Sequence, residues 1–368
     1  MNSFEVSYSK IMEKWNACMP VQKILERKEK LKNRPFILYG AGRLAKVFID
    51  ICKKLDIEIT AVCDRNSGKM CEGFCTISPM DLKSKYPEAI ILICSYTFNL
   101  EIFKNLKEIG FEEEQIMLCP IAHAYFESPE NFLKHKNGYE WAYNFYQDSL
   151  SKQLVLDRME MILLDRPLEI NTEADCYYEK DAIQLDEKEV FVDGGAFIGD
   201  TAQDFILKQN GKYKHIYSFE PGYENYQEAK NRLNEYDDID LIQKGLWSSE
   251  TTLTFYEDKA NPAGSCFSEA KNLENSIEVI SLDSLFSKMD IEEWPTFIKM
   301  DIEGSEKEAL MGAANIIKQK KPKLAICAYH KVEDIYELPQ TILKIRDDYK
   351  FVLRQHAKGC FDTVLYAF

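Results

Sequence analysis

Short apolar runs alternate with stretches of helical spacing in two separate series along this chain. The first series comprises "RPFILYG", "IEITAVCD", "AIILICS" and "EQIMLCP". The second begins with "EVFVDG" and continues through "KHIYSFEP", "PTFIKMD" and "PKLAICAYH". Strands that alternate with helices build parallel sheets covered on both faces. The pattern therefore predicts an α/β protein with two Rossmann-like, doubly wound domains joined by a helical segment.

The same pattern divides the chain into four segments. We predict a helical lead-in over residues 1–33, a Rossmann-like nucleotide-binding domain over 34–120, a helical linker over 121–187 and a second domain over 188–368. The last two apolar runs, "KFVLRQH" and "DTVLYAF", have the spacing of an antiparallel pair at a sheet edge.

Charge and composition exclude several classes of function. The formal net charge is −15, which argues against a nucleic-acid partner, because phosphate binding needs basic patches. No apolar run is long enough to span a bilayer, and the first residues lack the pattern of a signal peptide. The 11 cysteines have no zinc-ribbon spacing, so we expect reduced thiols and a cytoplasmic location.

The stretch "VFVDGGAFIGDT" contains an acid, Asp193, followed by Gly194, Gly195 and Gly199. In α/β sheets ligands bind at the carboxyl ends of strands, and Glu220 ends the next strand, where an acid receives ribose hydroxyls. A carboxylate beside the turn repels a pyrophosphate but suits the cationic groups of S-adenosylmethionine (SAM). The turn therefore favours SAM over NAD, with a purely turn-forming Asp193 as the alternative.

A second group of candidate residues follows later strands. Asp301 and Glu303 follow "PTFIKM", and His330 ends "KLAICAYH". These residues are candidates to hold a divalent metal, to position an acceptor or to take its proton, and a neutral histidine suits the last task. Structural turn residues are the alternative. Ser305 and Glu308 have the spacing of a capping box, which assigns them to structure.

Five motifs in order, "VFVDGGAFIGDT", "YSFEP", "KGLW", "IKMDIEGSE" and "DTVLYAF", resemble the FkbM family of SAM-dependent methyltransferases over residues 177–368. The resemblance implies a class I methyltransferase-like sheet and methyl transfer to oxygen, often on sugars. It also implies a SAM site lined by the motif residues Asp193, Gly195, Glu220, Pro221 and Asp301, with Trp247 as a wall near the adenine. A polar segment, "NPAGSCFSE", is a candidate active-site loop from which Ser265 reaches in, or a plain surface loop.

The first glycine turn, "YGAGRLAKVF", places Gly40 and Gly42 before a helix, with Asp64 at the end of the next strand. This is dinucleotide spacing, and Arg43 is placed to pair with a phosphate. The segment is similar to the nucleotide-sugar-binding domains of bacterial sugar-modifying enzymes over residues 35–119. That similarity implies that this domain holds the nucleotide of an activated sugar; glycines that only let a helix approach a strand are the alternative.

Together these features predict a SAM-dependent O-methyltransferase acting on a small-molecule hydroxyl, on a sugar or glycan precursor. Two alternatives remain open at this point. One is an NAD-dependent oxidoreductase that uses the first turn. The other is a non-catalytic protein that binds SAM or a nucleotide.

Overall fold

The computed structural model describes residues 3–17, 34–54, 56–95, 98–118, 132–164, 172, 175–256, 266–268, 276–357 and 361–368. The chain divides into two compact units. The N-terminal unit comprises residues 1–144, 152–171 and 357–361, and the C-terminal unit comprises residues 145–151, 172–356 and 362–368.

The N-terminal unit contains a four-stranded parallel sheet in the order β2-β1-β5-β6. Its central strands are buried throughout, as expected for a parallel sheet covered on both faces. The strands of this unit are β1 (Phe36–Tyr39), β2 (Ala61–Cys63), the hairpin strands β3 (Met70–Cys71) and β4 (Phe74–Cys75), β5 (Ile90–Ile93) and β6 (Ile116–Leu118). The helices from the start of the chain onward are α1 (Ser3–Ala17), α2 (Arg43–Lys54), α3 (Pro79–Lys85), α4 (Asn99–Glu108), α5 (Lys136–Phe145) and α6 (Ser149–Leu164).

The C-terminal unit contains a seven-stranded sheet in the order β16-β17-β15-β14-β7-β8-β9. Six of its strands run in the same direction, while β17 runs antiparallel to both of its neighbours, β15 and β16. The strands are β7 (Val190–Gly194), β8 (His215–Phe219), β9 (Ile239–Ile242), β14 (Phe297–Met300), β15 (Lys323–Cys327), β16 (Phe351–Gln355) and β17 (Thr363–Ala367). The predicted antiparallel pair at the sheet edge is confirmed, and so is the α/β class.

A smaller sheet in the order β10-β13-β11-β12 accompanies the large one. Its strands are β10 (Gly245–Leu246), β11 (Thr251–Tyr256), β12 (Cys266–Ser268) and β13 (Ser276–Ile280). The helices of this unit are α7 (Asp200–Lys208), α8 (Tyr223–Leu233), α9 (Leu282–Phe286), α10 (Glu306–Met311), α11 (Ala314–Lys320) and α12 (Asp334–Ile345).

Stacked aromatic rings join the large sheet to the helix that follows its first strand. The ring centroids of Phe191 and Phe205 are 4.5 Å apart, and those of Phe191 and Phe297 are 4.9 Å apart. This packing fixes α7 over β7 and β14, and it aligns the carboxyl ends of neighbouring parallel strands at one edge. Among the described residues no helix combines the length and the apolarity that crossing a membrane requires.

Candidate active site

A cavity of about 320 Å³ opens at the carboxyl ends of β7, β8 and β14. It lies where ligands bind in open α/β sheets. The lining residues are Tyr177, Gly195, Phe197, Asp200, Thr201, Phe219, Glu220, Pro221, Asn225, Gly245, Leu246, Lys299, Asp301, Ile302, Glu303, Tyr329 and Asp362.

The glycine turn after β7 forms one wall of this cavity. Gly195 has φ +78°, and a Cβ there would lie 1.9 Å from the carbonyl oxygen of Asp301. The N–H groups of Gly195 and Ala196 both donate to the carbonyl oxygen of Phe219, at 3.0 and 2.8 Å. These amides bind the protein's own backbone, so they are not free to receive the carboxylate of a ligand.

Glu220 lies at the end of β8 and lines the cavity, as its position at a strand end predicts. Its Oε2 accepts the N–H of Phe197 at 2.9 Å, and its Oε1 accepts the N–H of Gly222 at 2.9 Å. Asn225 donates to Oε1 at 3.3 Å. Burial raises the pKa of Glu220 to about 7, although these hydrogen bonds oppose the shift.

Asp193 does not line the cavity, which corrects its predicted place beside the ligand. Its side chain is fully buried, and its Oδ1 lies 3.0 Å from the ammonium of Lys299. Lys299 also donates to the carbonyl oxygens of Gly194 and Gly195, at 3.1 and 2.8 Å. The charge of Asp193 is therefore balanced inside the protein, where it fixes the turn rather than facing a ligand.

Asp301 is held at the cavity wall by two tyrosine hydroxyls. Tyr177 donates to its Oδ2 at 2.9 Å, and Tyr329 donates to its Oδ1 at 3.1 Å. Burial opposes ionisation, but the positive charges of His330 and Lys299 and the hydrogen bond from Tyr177 keep the pKa of Asp301 below its ordinary value. Asp301 is therefore an ionised group with a fixed orientation.

Three carboxylates surround the ring of His330. Nδ1 lies 3.0 Å from Oε1 of Glu306, while Nε2 lies 3.4 Å from Oδ1 of Asp301 and 3.4 Å from Oε2 of Glu303. Burial alone lowers the pKa of His330, but Glu306, Glu303 and Asp301 outweigh burial and raise it to about 10. The expected role of a neutral histidine base is therefore wrong for this arrangement, because without another cation the ring is protonated at neutral pH.

Glu303 reaches the cavity from a left-handed backbone conformation with φ 54°, followed by Gly304 at φ +91°. This backbone conformation is energetically unfavourable for non-glycine residues, and such strain is concentrated at functional sites. Burial raises the pKa of Glu303 to about 8; His330 opposes this shift, and the charges of Asp301 and Glu306 add to it.

The loop ends in α10, whose N-cap differs from the predicted capping box. Ser305 does occupy the N-cap position, but its side chain makes no capping hydrogen bond. Glu306 instead turns back, and its Oε1 accepts the N–H of Ile302 at 2.9 Å. Glu306, which lies between the predicted capping residues Ser305 and Glu308, therefore fixes the loop.

Residues 193–353 match the family described as the Methyltransferase FkbM domain. Residues 32–117 match the family described as C2185-like, N-terminal. No curated protein matches the chain.

Solved structures include one that is similar along the whole length. Methyltransferase FkbM from Methylobacillus flagellatus KT is 22% identical, with a TM-score of 0.78 and complete coverage of both chains. Fibrillarin from Aeropyrum pernix, solved with natively bound S-adenosyl-L-methionine, is 10% identical over 51% of this chain and 71% of its own, with a TM-score of 0.31. An rRNA methylase from Streptococcus thermophilus is 17% identical over 50% of this chain and 87% of its own, with a TM-score of 0.30.

The remaining predicted residues of the C-terminal unit differ in their position relative to the cavity. Gly194 is buried at the end of β7, Gly199 is the N-cap of α7 with φ 79°, and Pro221 lines the cavity. Trp247 is not among the lining residues, which corrects its predicted place as a wall. Its backbone N–H donates to the carbonyl oxygen of Ile280 at 3.0 Å. Gly245 and Leu246 of the smaller sheet line the cavity instead. Ser265 lies outside the described residues.

The first glycine turn lies at the carboxyl end of β1 in the N-terminal unit. A Cβ at Gly40 would lie 2.9 Å from the carbonyl oxygen of Cys94, whereas Gly42 has open space around it. Asp64 accepts the N–H groups of Ala41 and Asn66, each at 2.8 Å. The backbone of Arg43 begins α2, and its side chain lies outside the described part of the structure.

Several residues of the site were not identified from the sequence, among them Tyr177, Lys299, Glu306, Tyr329 and Asp362. Lys299 left a usable signal, because a lysine between Ile298 and Met300 in a buried strand requires a partner. Glu306 was not identified because its neighbours Ser305 and Glu308 have the spacing of a capping box. Tyr177 precedes the predicted start of its domain and contacts Asp301 from 124 residues away, a separation that no local pattern reveals.

Proposed function

We propose that the C-terminal unit binds SAM in the cavity and transfers its methyl group to a hydroxyl oxygen. The observation that carries this proposal is the cavity itself, which the Gly195 turn, Glu220, Asp301 and Glu303 all line. A surplus of carboxylates suits a cofactor with a sulfonium and an ammonium group. The match of residues 193–353 to the Methyltransferase FkbM domain family supports methyl transfer as the reaction.

In this proposal Glu220 accepts the ribose hydroxyls, because it ends β8 and retains lone pairs beyond those its amide partners use. Gly195 lets the backbone approach the cofactor where a side chain would collide with Asp301. Thr201 lines the cavity near the start of α7, and we propose its hydroxyl as a donor to the methionyl carboxylate.

The transfer step needs alignment above all. The acceptor oxygen attacks the methyl carbon in line with the carbon–sulfur bond, and the electrons of that bond return to sulfur as S-adenosylhomocysteine (SAH) leaves. The acceptor proton passes to Asp301 or Glu303, which face the cavity. The tyrosine rings and carboxylates at this end suit a polyhydroxylated acceptor, and the resemblance to the FkbM family supports a sugar or glycan precursor.

Calorimetric titration of the full chain with SAH tests the cofactor assignment. We expect saturable binding by the wild type and at least about tenfold weaker binding by Glu220→Gln, since hydrogen bonds to a charged group are worth more than those to a neutral one. Asp204→Asn, on the exposed face of α7, is the control and binds as the wild type. If the folded wild type fails to bind SAH, the proposal is wrong.

A transfer assay with SAM labelled in its methyl group then tests the acceptor. We expect label in a hydroxyl-bearing sugar or glycan precursor, released only by conditions that cleave an ether. Label on nitrogen or sulfur of the acceptor contradicts O-methylation while leaving the cofactor assignment in place.

A further inference from the structure

The imidazole of His330 lies just behind the cavity wall, where three carboxylates approach it without a hydrogen bond of good geometry. The residue is only 6% exposed, and neither ring nitrogen makes a hydrogen bond of good geometry to any described residue. Oε2 of Glu306, the residue whose Oε1 faces Nδ1, is also buried without a hydrogen bond to any described residue. Buried polar atoms without partners cost free energy, and two such groups side by side point to a ligand between the carboxylates and the ring.

The spacing of these groups fits a metal-ligand set. Oδ1 of Asp301 and Oε2 of Glu303 each lie 3.4 Å from Nε2 of His330. In an octahedral site with bonds of about 2.1 Å, neighbouring ligand atoms are separated by about 3 Å. An inward movement of the Glu303 loop that also brings its Oε2 toward Oδ1 of Asp301 would place the two oxygens and the nitrogen at bonding distance of one ion.

Glu306 forms a compact group with Asp301 and His330, in which one ligand atom from each lies within 4.8 Å of the others; Glu303 is not part of that group. Oε1 of Glu306, however, faces the opposite ring nitrogen, Nδ1, at 3.0 Å. One cation binds one nitrogen of an imidazole, and metal-ligating histidines commonly give the other nitrogen to a carboxylate that fixes the ring. Glu306 has the position of that outer carboxylate, and the N–H of Ile302 holds it in place.

We propose that Nε2 of His330, Asp301 and Glu303 bind a divalent cation, and that Glu306 orients His330 through Nδ1. One nitrogen and two carboxylate oxygens suit Mn²⁺, which accepts both ligand types. The cation replaces the proton on Nε2. Its catalytic role rests on the proposed function: next to the cavity, a bound cation coordinates the acceptor oxygen and lowers the pKa of its hydroxyl.

Calorimetric titration of the chelator-treated full chain with MnCl₂, without SAH, tests the site directly. We expect one Mn²⁺ per chain for the wild type and loss of that binding in His330→Gln and Glu303→Gln. Glu306→Gln should weaken binding by about 10–100-fold, as expected for an outer-shell carboxylate. Glu308→Gln, on the same helix, is the matched control and binds as the wild type.

Pulsed EPR of Mn²⁺ bound to the wild type gives a second readout that does not depend on whether a variant folds. Coupling to a histidine nitrogen is expected. Failure of the wild type to bind at millimolar Mn²⁺, binding without nitrogen coupling, or equal binding by folded His330→Gln would each overturn the proposal. SAH titration of the metal-free chain is independent of these results, so failure of the metal site and failure of the cofactor site are distinguishable.

Discussion

The ammonium of Lys299 lies 3.0 Å from the carboxylate of Asp193, and both side chains are almost completely buried. Lys299 also donates to the carbonyl oxygens of Gly194 and Gly195, so all three of its N–H bonds have acceptors. Burial alone lowers the pKa of Lys299, but the negative charges of Asp193 and Asp301 outweigh burial and raise it. The ionised pair therefore joins β14 to the turn that forms the cavity wall.

Replacing Lys299 by methionine should destabilise the protein strongly. Asp193 would keep a buried charge without its partner, and breaking a buried pair in this way costs on the order of 3–5 kcal/mol. Urea unfolding followed by circular dichroism measures the loss. The double variant Lys299→Met/Asp193→Asn should lose less than the single one, because it removes the uncompensated charge. Equal losses in the two variants would show that the pair contributes packing rather than charge balance.

Affinity for SAH should rise with pH through the titration of Glu220. Burial raises the pKa of this carboxyl to about 7, so a large part of the population is protonated at slightly acidic pH. Ribose hydroxyls donate to the ionised form and stabilise it, so affinity increases as the pH passes through about 7 and then levels off. Calorimetry at a series of pH values measures the dependence.

Glu220→Gln provides the control for this titration, because glutamine does not ionise in this range. Its weaker affinity should not change with pH beyond the dependence that the ligand's own groups impose. The same slope in the variant and the wild type would assign the titration to another group.

The acids at the cavity edge were predictable because position along a parallel strand determines which edge of the sheet a residue reaches. Glu220, Asp301 and Glu303 each follow a buried apolar run, and all three line the cavity. Asp193 has the same sequence signature and lies beneath the wall instead. Its orientation depends on Lys299, which follows 106 residues later, and a pattern read from the strand alone does not include that partner.

Local sequence patterns did not reveal the protonation state of His330 either. His330 follows β15 and is an isolated candidate base in the sequence, whereas the fold brings Glu306, Glu303 and Asp301 around it. Two of these acids were recognised as site residues, but their distance from the ring decides the protonation state. Residue type and strand position therefore located the site, and three-dimensional contacts defined its chemistry.

Replacing Asp64 by alanine should destabilise the N-terminal unit. Its carboxylate accepts the N–H groups of Ala41 and Asn66, each at 2.8 Å, and so ties the first glycine turn to the end of β2. Removing the acceptor should cost about 1–3 kcal/mol, seen as faster amide hydrogen exchange at Ala41. Asp50→Ala, an exposed change on α2, should stay within about 0.5 kcal/mol of the wild type. Unchanged exchange at Ala41 in Asp64→Ala would contradict this account.

Gly195 and Gly211 have the same backbone conformation. Alanine substitutions at these two positions therefore distinguish the effect of conformational strain from that of a steric collision. Gly195 has φ +78° and Gly211 has φ +73°. At either position the left-handed conformation of an alanine costs about 1–2 kcal/mol of stability. A Cβ at Gly211 meets nothing within 4 Å, whereas one at Gly195 would lie 1.9 Å from the carbonyl oxygen of Asp301. Gly195→Ala must therefore push the turn and the Asp301 loop apart. We expect calorimetry to show SAH binding by Gly211→Ala as in the wild type and none by Gly195→Ala. Wild-type affinity in folded Gly195→Ala would mean that the cofactor does not depend on the close approach of these two loops.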